Sequence, residues 1–351
     1  MKKKMDLPTF DNAQAWTGRD MARREDWIRE LNAEEIAEID RAVQHAEGTG
    51  RDMLELRRED FPLDTLLPVL SAVRQEALTG RGFFLIRGIP VERYTLAQCA
   101  IAYWGVGLYL GEGVSQNGKG HVLGHVTNLG LDYADPQVRG YQTTVRLPYH
   151  CDLSDLVLLL CVKASRSGGL SSVVSSTTLW NEMVRTRPDH ARALMEPVYF
   201  TRWNEIPEGR KPYSRVVPFV PWQGRMIGTY VRAAVVKGQQ LSGVPPLTQA
   251  QVEAMDYLDS LAADPDLHLD MAFRPGDIQV LCNYFTFHSR TSYEDWPERE
   301  RRRHLMRLWL ACDDGPALPP FITQELQCAT AGGRPNGIRV PGTRLVAPVE
   351  P

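Results

Sequence analysis

The sequence has no C-x-x-C pair. Its six cysteines (Cys99, Cys151, Cys161, Cys282, Cys312 and Cys328) are scattered over 351 residues. That spacing excludes the usual zinc cage and any recognisable disulfide framework. Several lie in apolar, strand-like runs and read as buried thiols, the usage expected of a reducing cytoplasm. Long hydrophobic runs are missing too. Nothing approaches the ~18 consecutive apolar residues of a membrane span. The basic start MKKKMDLPTF has no apolar stretch behind it, which argues against a secretory signal. Charge of one sign is also lacking: 40 Lys and Arg stand against 43 Asp and Glu, a formal net charge of −3. This balance gives no whole-chain reason to expect nucleic acid or an anionic membrane as partner. The chain shows no repeats or low-complexity tracts, and no linker convincing enough to divide it.

What is present is an ordinary globular composition, 43% hydrophobic and 24% charged, with enough length for a large core. The reading is one catalytic domain over residues 1–351. It has a helical N-terminal cap to about residue 80, a β core with helical insertions over about 81–312, and an irregular Pro- and Gly-rich tail over 313–351. In the cap, LNAEEIAEIDRAVQHAEG predicts a helix: Asn32 is placed to cap it, Glu35 follows three residues on, and Ile36, Ile39 and Val43 recur at helical spacing. DTLLPVLSAVRQEALTG predicts a second helix and TLAQCAIAYWGVGLYLG a third, with the strand GFFLIR between them. After residue 120 the texture turns to short strands: LVLLLCVKA, SSVVSS, a hairpin turning at Gln223-Gly224, DIQVLCNYFTFHSRT and RHLMRLWLA. One amphipathic helix, TQAQVEAMDYLDSLAAD, interrupts them. The fold class is mainly β with flanking helices, a sandwich or jelly roll.

Of eight histidines, His45, His190 and His268 read as surface residues. His121 and His125 lie four apart, but among glycines that oppose a helix and without an H-E-x-x-H motif. His150 and Asp152, in PYHCDLSDL, differ. In an extended chain they share a face at roughly 6.6 Å, from about 3.3 Å per residue, so an imidazole and a carboxylate converge on one ion. Cys151 points to the opposite face and is not counted as a ligand. His288, in NYFTFHSRT, supplies a distant second imidazole. Two histidines and one carboxylate with open positions are the donor set of non-haem Fe(II) oxygenases, whereas zinc prefers a more closed set. Downstream, RRRHLMRLWL places Arg303 and Arg307 on one face of a strand about 13 Å apart, suited to two different anionic groups. Arg299 and Arg301 read as solvated.

Taken together, His150-Cys151-Asp152, the SGGLSS turn, His288 and the Arg303/Arg307 pair resemble the taurine dioxygenase (TauD/TfdA-like) family of Fe(II)- and 2-oxoglutarate-dependent oxygenases, from about residue 80 to 312. The resemblance implies a double-stranded β-helix, a jelly roll of the clavaminate synthase-like kind. It implies that His150, Asp152 and His288 bind iron and that O2 and 2-oxoglutarate are cosubstrates. It also implies that Arg303 holds the remote carboxylate of 2-oxoglutarate, with Ser171 standing where the family often has Thr. Cys151 likewise replaces the usual Thr between the two iron ligands. Arg307 matches a position that holds the substrate's sulfonate in taurine dioxygenase. Asp152 points to hydroxylation-type chemistry, since related halogenases replace that carboxylate with a small residue.

The expected activity is oxidation of a C–H bond, by hydroxylation, desaturation or cyclisation, in a small anionic or amino-acid-like molecule, yielding succinate and CO2. Arg146, Arg232 and Asn117 join Arg307 as substrate-binding candidates, with Tyr141 and Tyr230 behind them. The partner is a small-molecule substrate, not nucleic acid or membrane, and homo-oligomerisation stays open. Two other readings compete: a cupin-like metal-binding protein without turnover, and a zinc hydrolase using the same triad with Asp155 as base. A dicarboxylate clamp disfavours the first, and the lack of a convincing base disfavours the second.

Overall fold

A computed structural model describes residues 7–133, 138–326 and 329–351; Cys328 lies outside them. The predicted helices form. Residues Ala33–Gly48 are capped by Asn32, whose side chain accepts from the backbone N–H groups of Glu34 and Glu35 while Glu35 reaches back to the Asn32 N–H. Pro68 sits in the first turn of Leu67–Leu78, where its missing N–H costs nothing. Thr95 caps Leu96–Leu110.

These helices cover one face of a seven-stranded sheet. Its order is Ile28–Glu30, Phe83–Arg87, Ile278–Cys282, Leu156–Lys163, His304–Ala311 and Glu112–Val114, with Leu123–Thr127 also paired to His304–Ala311. A four-stranded sheet, ordered His268–Met271, Ser171–Ser175, Thr286–Arg290 and Leu147–His150, packs on the other face. Alternation along the strands sorts the side chains. Leu158, Leu160, Met306 and Leu308 face the helices, in one core with Leu70 and Tyr103. Val157 and Trp309 point inward, against Val173, Leu269 and Met271 of the smaller sheet. A strand buried on both faces reads as a continuous apolar run, which is what LVLLLCV shows. The two sheets are the double-stranded β-helix expected from the sequence.

Several local expectations are revised. The two residues Gln223 and Gly224 turn the hairpin Phe219–Trp222/Arg225–Gly228 with φ of 46° and 78°, as a tight two-residue turn requires. In the segment after it, Arg232 opens a helix, Arg232–Gly238. The stretch DIQVLCNYFTFHSRT is two strands in different sheets, Ile278–Cys282 and Thr286–Arg290. Helices Ser176–Thr186 and Pro188–Ala193 went unforeseen, and His190, within the second of them, is buried against the Tyr257 ring rather than exposed. The tail is irregular, but it does not merely lie on the surface. Arg334 is buried and donates to Asp155, which also accepts from Tyr284 Oη at 3.0 Å and from the Cys312 backbone N–H at 2.8 Å. Asp155 is therefore an internal anchor, unavailable as a hydrolytic base.

Candidate active site

The smaller sheet brings the first site residues together by register. His150, the last residue of its strand, lies directly opposite His288, and the two rings sit 4.3 Å apart between centroids. Asp152 follows where the chain leaves the sheet; its backbone N–H is pinned by Asn283 Oδ1 at 2.9 Å. One ligand atom from each of His150, Asp152 and His288 lies within 4.8 Å of the others. His150 Nδ1 is 2.8 Å from the Pro148 carbonyl, so it carries the proton and Nε2 is left for a metal. Cys151 turns to the interior and accepts from the Tyr230 N–H through its sulfur. Burial raises its thiol to about 12, so it stays protonated and inert.

Electrostatics favour the ligating forms. Burial, followed by the neighbouring His150, pushes His288 down to about 3, leaving a neutral imidazole. Burial works to raise Asp152, but Arg307, the two imidazoles and the Trp309 N–H outweigh it and hold the carboxyl below its usual range. Trp309 Nε1 donates to Asp152 Oδ2 at 2.9 Å, and Arg307 Nη1 lies 3.3 Å from the same oxygen. Two neutral imidazoles and a carboxylate, with His150 and Asp152 oriented from behind by hydrogen bonds, suit a divalent ion with open positions.

Arg307 lies between the cavity and Asp152. Its Nε donates to Gln116 Oε1 at 2.7 Å, Nη1 faces Asp152, and its guanidinium lies over the rings of Tyr141 and Trp309. It lines the cavity, but its charge is taken up by the carboxylate it steadies. Arg232 also lines the cavity and is similarly committed, to Asp256 at 2.6 Å and Asp259 at 3.1 Å. Arg146 is exposed and off the cavity wall. Asn117 shapes a turn, accepting from the N–H groups of Lys119 and His121, and borders a neighbouring polar pocket instead. Tyr230 is buried with its hydroxyl on Asp259. Tyr141 does line the cavity.

Arg303 and Ser171 lie in the cavity wall as expected. Arg303 is 3% exposed and its Nη1 has no hydrogen-bond partner among the described residues. Gly169, at φ 70°, lets the turn close over it: a Cβ there would stand 3.1 Å from Arg303 Nε. Beside it are three residues that sequence reasoning passed over. Arg290 Nε and Nη1 and the Tyr293 hydroxyl are buried without partners among the described residues, and Asp295 takes the Arg303 backbone N–H on Oδ1. Burial, then Arg303, lowers Arg290 to about 10. A buried cluster of unmet cationic donors fits the free carboxylate of a metal-chelating 2-oxo diacid.

The cavity, about 220 Å³, is otherwise largely apolar, with Val126, Leu159, Leu305 and Phe273 in its wall. Toward its edge Arg139 pairs with Glu205 and stacks on Trp203 at 5.3 Å. No helix among the described residues is long and apolar enough to cross a membrane.

Comparison with known proteins agrees with this geometry. The chain is 28% identical over 327 residues to FR-33289 synthase of Streptomyces rubellomurinus (strain ATCC 31215), covering 92% of this chain and 96% of that protein. It is 30% identical over 332 residues to the taurine hydroxylase-like protein SAT17 of Stachybotrys chartarum (strain CBS 109288 / IBT 7711), covering 90% and 84%. Among solved structures, an asparagine oxygenase in complex with Fe(II), hydroxyasparagine and succinate superposes with a TM-score of 0.63 at 16% identity, covering 89% of this chain and 99% of that one, a likeness of fold. The matching family profile, taurine catabolism dioxygenase TauD, TfdA family, spans residues 46–309 and so takes in both histidines, Asp152, Arg303 and Arg307. With most of its length inside that profile, the chain belongs to the TauD/TfdA family of dioxygenases.

Proposed function

We propose that His150, Asp152 and His288 hold Fe(II), that Arg303 and Ser171 receive the far carboxylate of 2-oxoglutarate, and that the enzyme oxidises a C–H bond of a small anionic or amino-acid-like substrate. The observation that carries this reading is a two-His, one-carboxylate cluster sharing one cavity with buried, partnerless arginine nitrogens. Iron, when bound, supplies the redox chemistry that couples O2 and 2-oxoglutarate, with release of succinate and CO2, to oxidation of the substrate.

The chain's own residues do the rest. Pro148 fixes the tautomer of His150, while Trp309 and Arg307 keep Asp152 ionised and aimed at the metal. Arg303 anchors the cosubstrate at a distance from the metal and so fixes its orientation. The apolar wall excludes water and leaves a confined volume in which a substrate C–H bond is positioned. Hydroxylation, desaturation and cyclisation all remain within this geometry. One relative is named for likeness to a hydroxylase of taurine, a sulfonate, and one structural neighbour is an oxygenase of asparagine, an amino acid; both support the substrate class. We also place the enzyme in the cytoplasm, where its five described cysteines, all free and buried, would stay reduced. The whole chain is proposed to act as one catalytic domain.

Anaerobic addition of Fe(II) and 2-oxoglutarate is expected to give the weak visible charge-transfer band of a chelated 2-oxo acid. Arg303→Met is expected to weaken that titration at least 100-fold. The reading fails if no band forms and Arg303→Met leaves 2-oxoglutarate binding unchanged.

A further inference from the structure

We propose that Arg290 is a second carboxylate-binding residue, acting with Arg303 to hold the remote end of the 2-oxo diacid and to set its length. This inference rests on the cofactor assignment above. Arg290 is two residues past His288 on the strand Thr286–Arg290, so both side chains face the same side of the sheet. It is 4% exposed, and Arg303 is 3% exposed. Both guanidinium groups lie over the Tyr293 ring, at 4.7 and 5.2 Å from its centroid.

The pocket they share has more donors than acceptors. Arg290 Nε and Nη1, Arg303 Nη1 and the Tyr293 hydroxyl are all buried without partners among the described residues. Buried cationic donors left unmet are costly, and a guanidinium does not escape by losing its proton. The carboxylate that bears on both arginines is Asp295: its Oδ1 is occupied by the Arg303 backbone N–H, and its Oδ2 is the one buried, unpartnered acceptor set against those four donors. Two guanidinium groups against one carboxylate leave one positive charge. One monoanionic carboxylate would balance that charge and meet the idle donors.

The remaining nitrogen of Arg290 explains the length selectivity. Nη2 donates to the carbonyl of Thr143 at 3.0 Å and to that of Val145. Those residues lead directly into Leu147–His150, the strand that ends in a metal-site residue. Arg290 is thereby braced against the metal strand while two of its nitrogens face the anion. The separation between the carboxylate end and the metal end is fixed by one rigid side chain, which should favour 2-oxoglutarate over the diacid one methylene longer.

The test is calorimetric titration of 2-oxo acids into protein loaded with redox-silent Mn(II), with no turnover required. Arg290→Met is expected to raise the Kd of 2-oxoglutarate about 10- to 100-fold, the range of one or two charge-assisted hydrogen bonds. It should narrow the preference over 2-oxoadipate and leave the Kd of pyruvate, which has no second carboxylate, unchanged. A wild-type Kd for 2-oxoglutarate in Arg290→Met would overturn the proposal. So would an equal loss for pyruvate, which marks a merely structural role. If Arg290→Met does not fold, Arg290→Lys decides: selective loss for 2-oxoglutarate supports the proposal and no loss overturns it. Absence of 2-oxoglutarate binding by the wild-type protein would instead overturn the cofactor assignment.

Discussion

Two histidine pairs sit on strands of this fold, and burial does not distinguish them. His150 faces His288 with ring centroids 4.3 Å apart, and His125 faces His304 at 5.0 Å. Burial is the leading cause that pushes both His288 and His304 down to about 3. The difference lies in what remains open. His125 Nδ1 and His304 Nε2 are 2.8 Å apart, and His125 Nε2 is 2.8 Å from the Pro348 carbonyl. The pattern assigns His125 as donor to that carbonyl and acceptor from His304, so the pair closes on itself and on the tail. His150 and His288 share no such bond; they open together with Asp152 onto a cavity. A depressed imidazole is therefore no mark of chemistry by itself. A carboxylate and an open side are what convert a buried pair into a metal site.

Replacing one histidine of each pair should separate the two sites most strongly. His288→Ala is expected to abolish stoichiometric Mn(II) or Fe(II) binding and to cut 2-oxoglutarate-dependent succinate release at least 1000-fold, since losing one of three ligands removes the site. His304→Phe should leave metal stoichiometry at the wild-type value, measured by metal analysis after desalting. Equal metal loss in both variants would erase the distinction.

A smaller effect separates ligand from support. Trp309→Phe removes the N–H bond to Asp152 and keeps the ring packing, so metal affinity should fall about 10-fold, in the range seen for groups that orient ligands. The readout is competition with a chelator, and unchanged affinity would show that Arg307 alone suffices to hold Asp152.

The smallest effect is on stability against pH. His304 is neutral when folded down to about 3, whereas an unfolded histidine takes up a proton below about 6.5. The stability that this histidine contributes is complete above pH 6.5. It is lost progressively as pH falls toward 3, at a slope of up to about 1.4 kcal/mol per pH unit. His304→Phe should flatten the denaturant-measured profile between pH 6.5 and 5, and an unchanged slope would show that other groups set it.

Much of the site was legible because its signals are local. His150 and Asp152 are two apart in an extended segment, and the capping box of Asn32 and Glu35 is written in four residues. Arg290 was equally accessible by the same rule of alternate residues, applied to His288, but an Arg in an SRTSYED turn reads as solvated until its burial is seen. The hydrophobic run around Arg232 suits strand and helix alike, and nothing local in it announces the pairing with Asp256 and Asp259. Of the three arginines that suggested substrate contacts, Arg307 is paired with an acid distant in sequence, Asp152, and Arg232 with two acids of a later helix. Such pairing is set by topology, which no local pattern carries.

One contact also bears on where the protein can be cut. The stretch matched by the family profile ends at residue 309, but the carboxylate of Asp155, with no solvent exposure, meets its cationic partner at Arg334. A chain shortened to the boundary of that likeness would strand a bare charge in the interior, a loss of about 3–5 kcal/mol, comparable to much of a domain's net stability. Trimming or fusion at the C-terminal end should therefore begin beyond Arg334, past the stretch that the family profile matches.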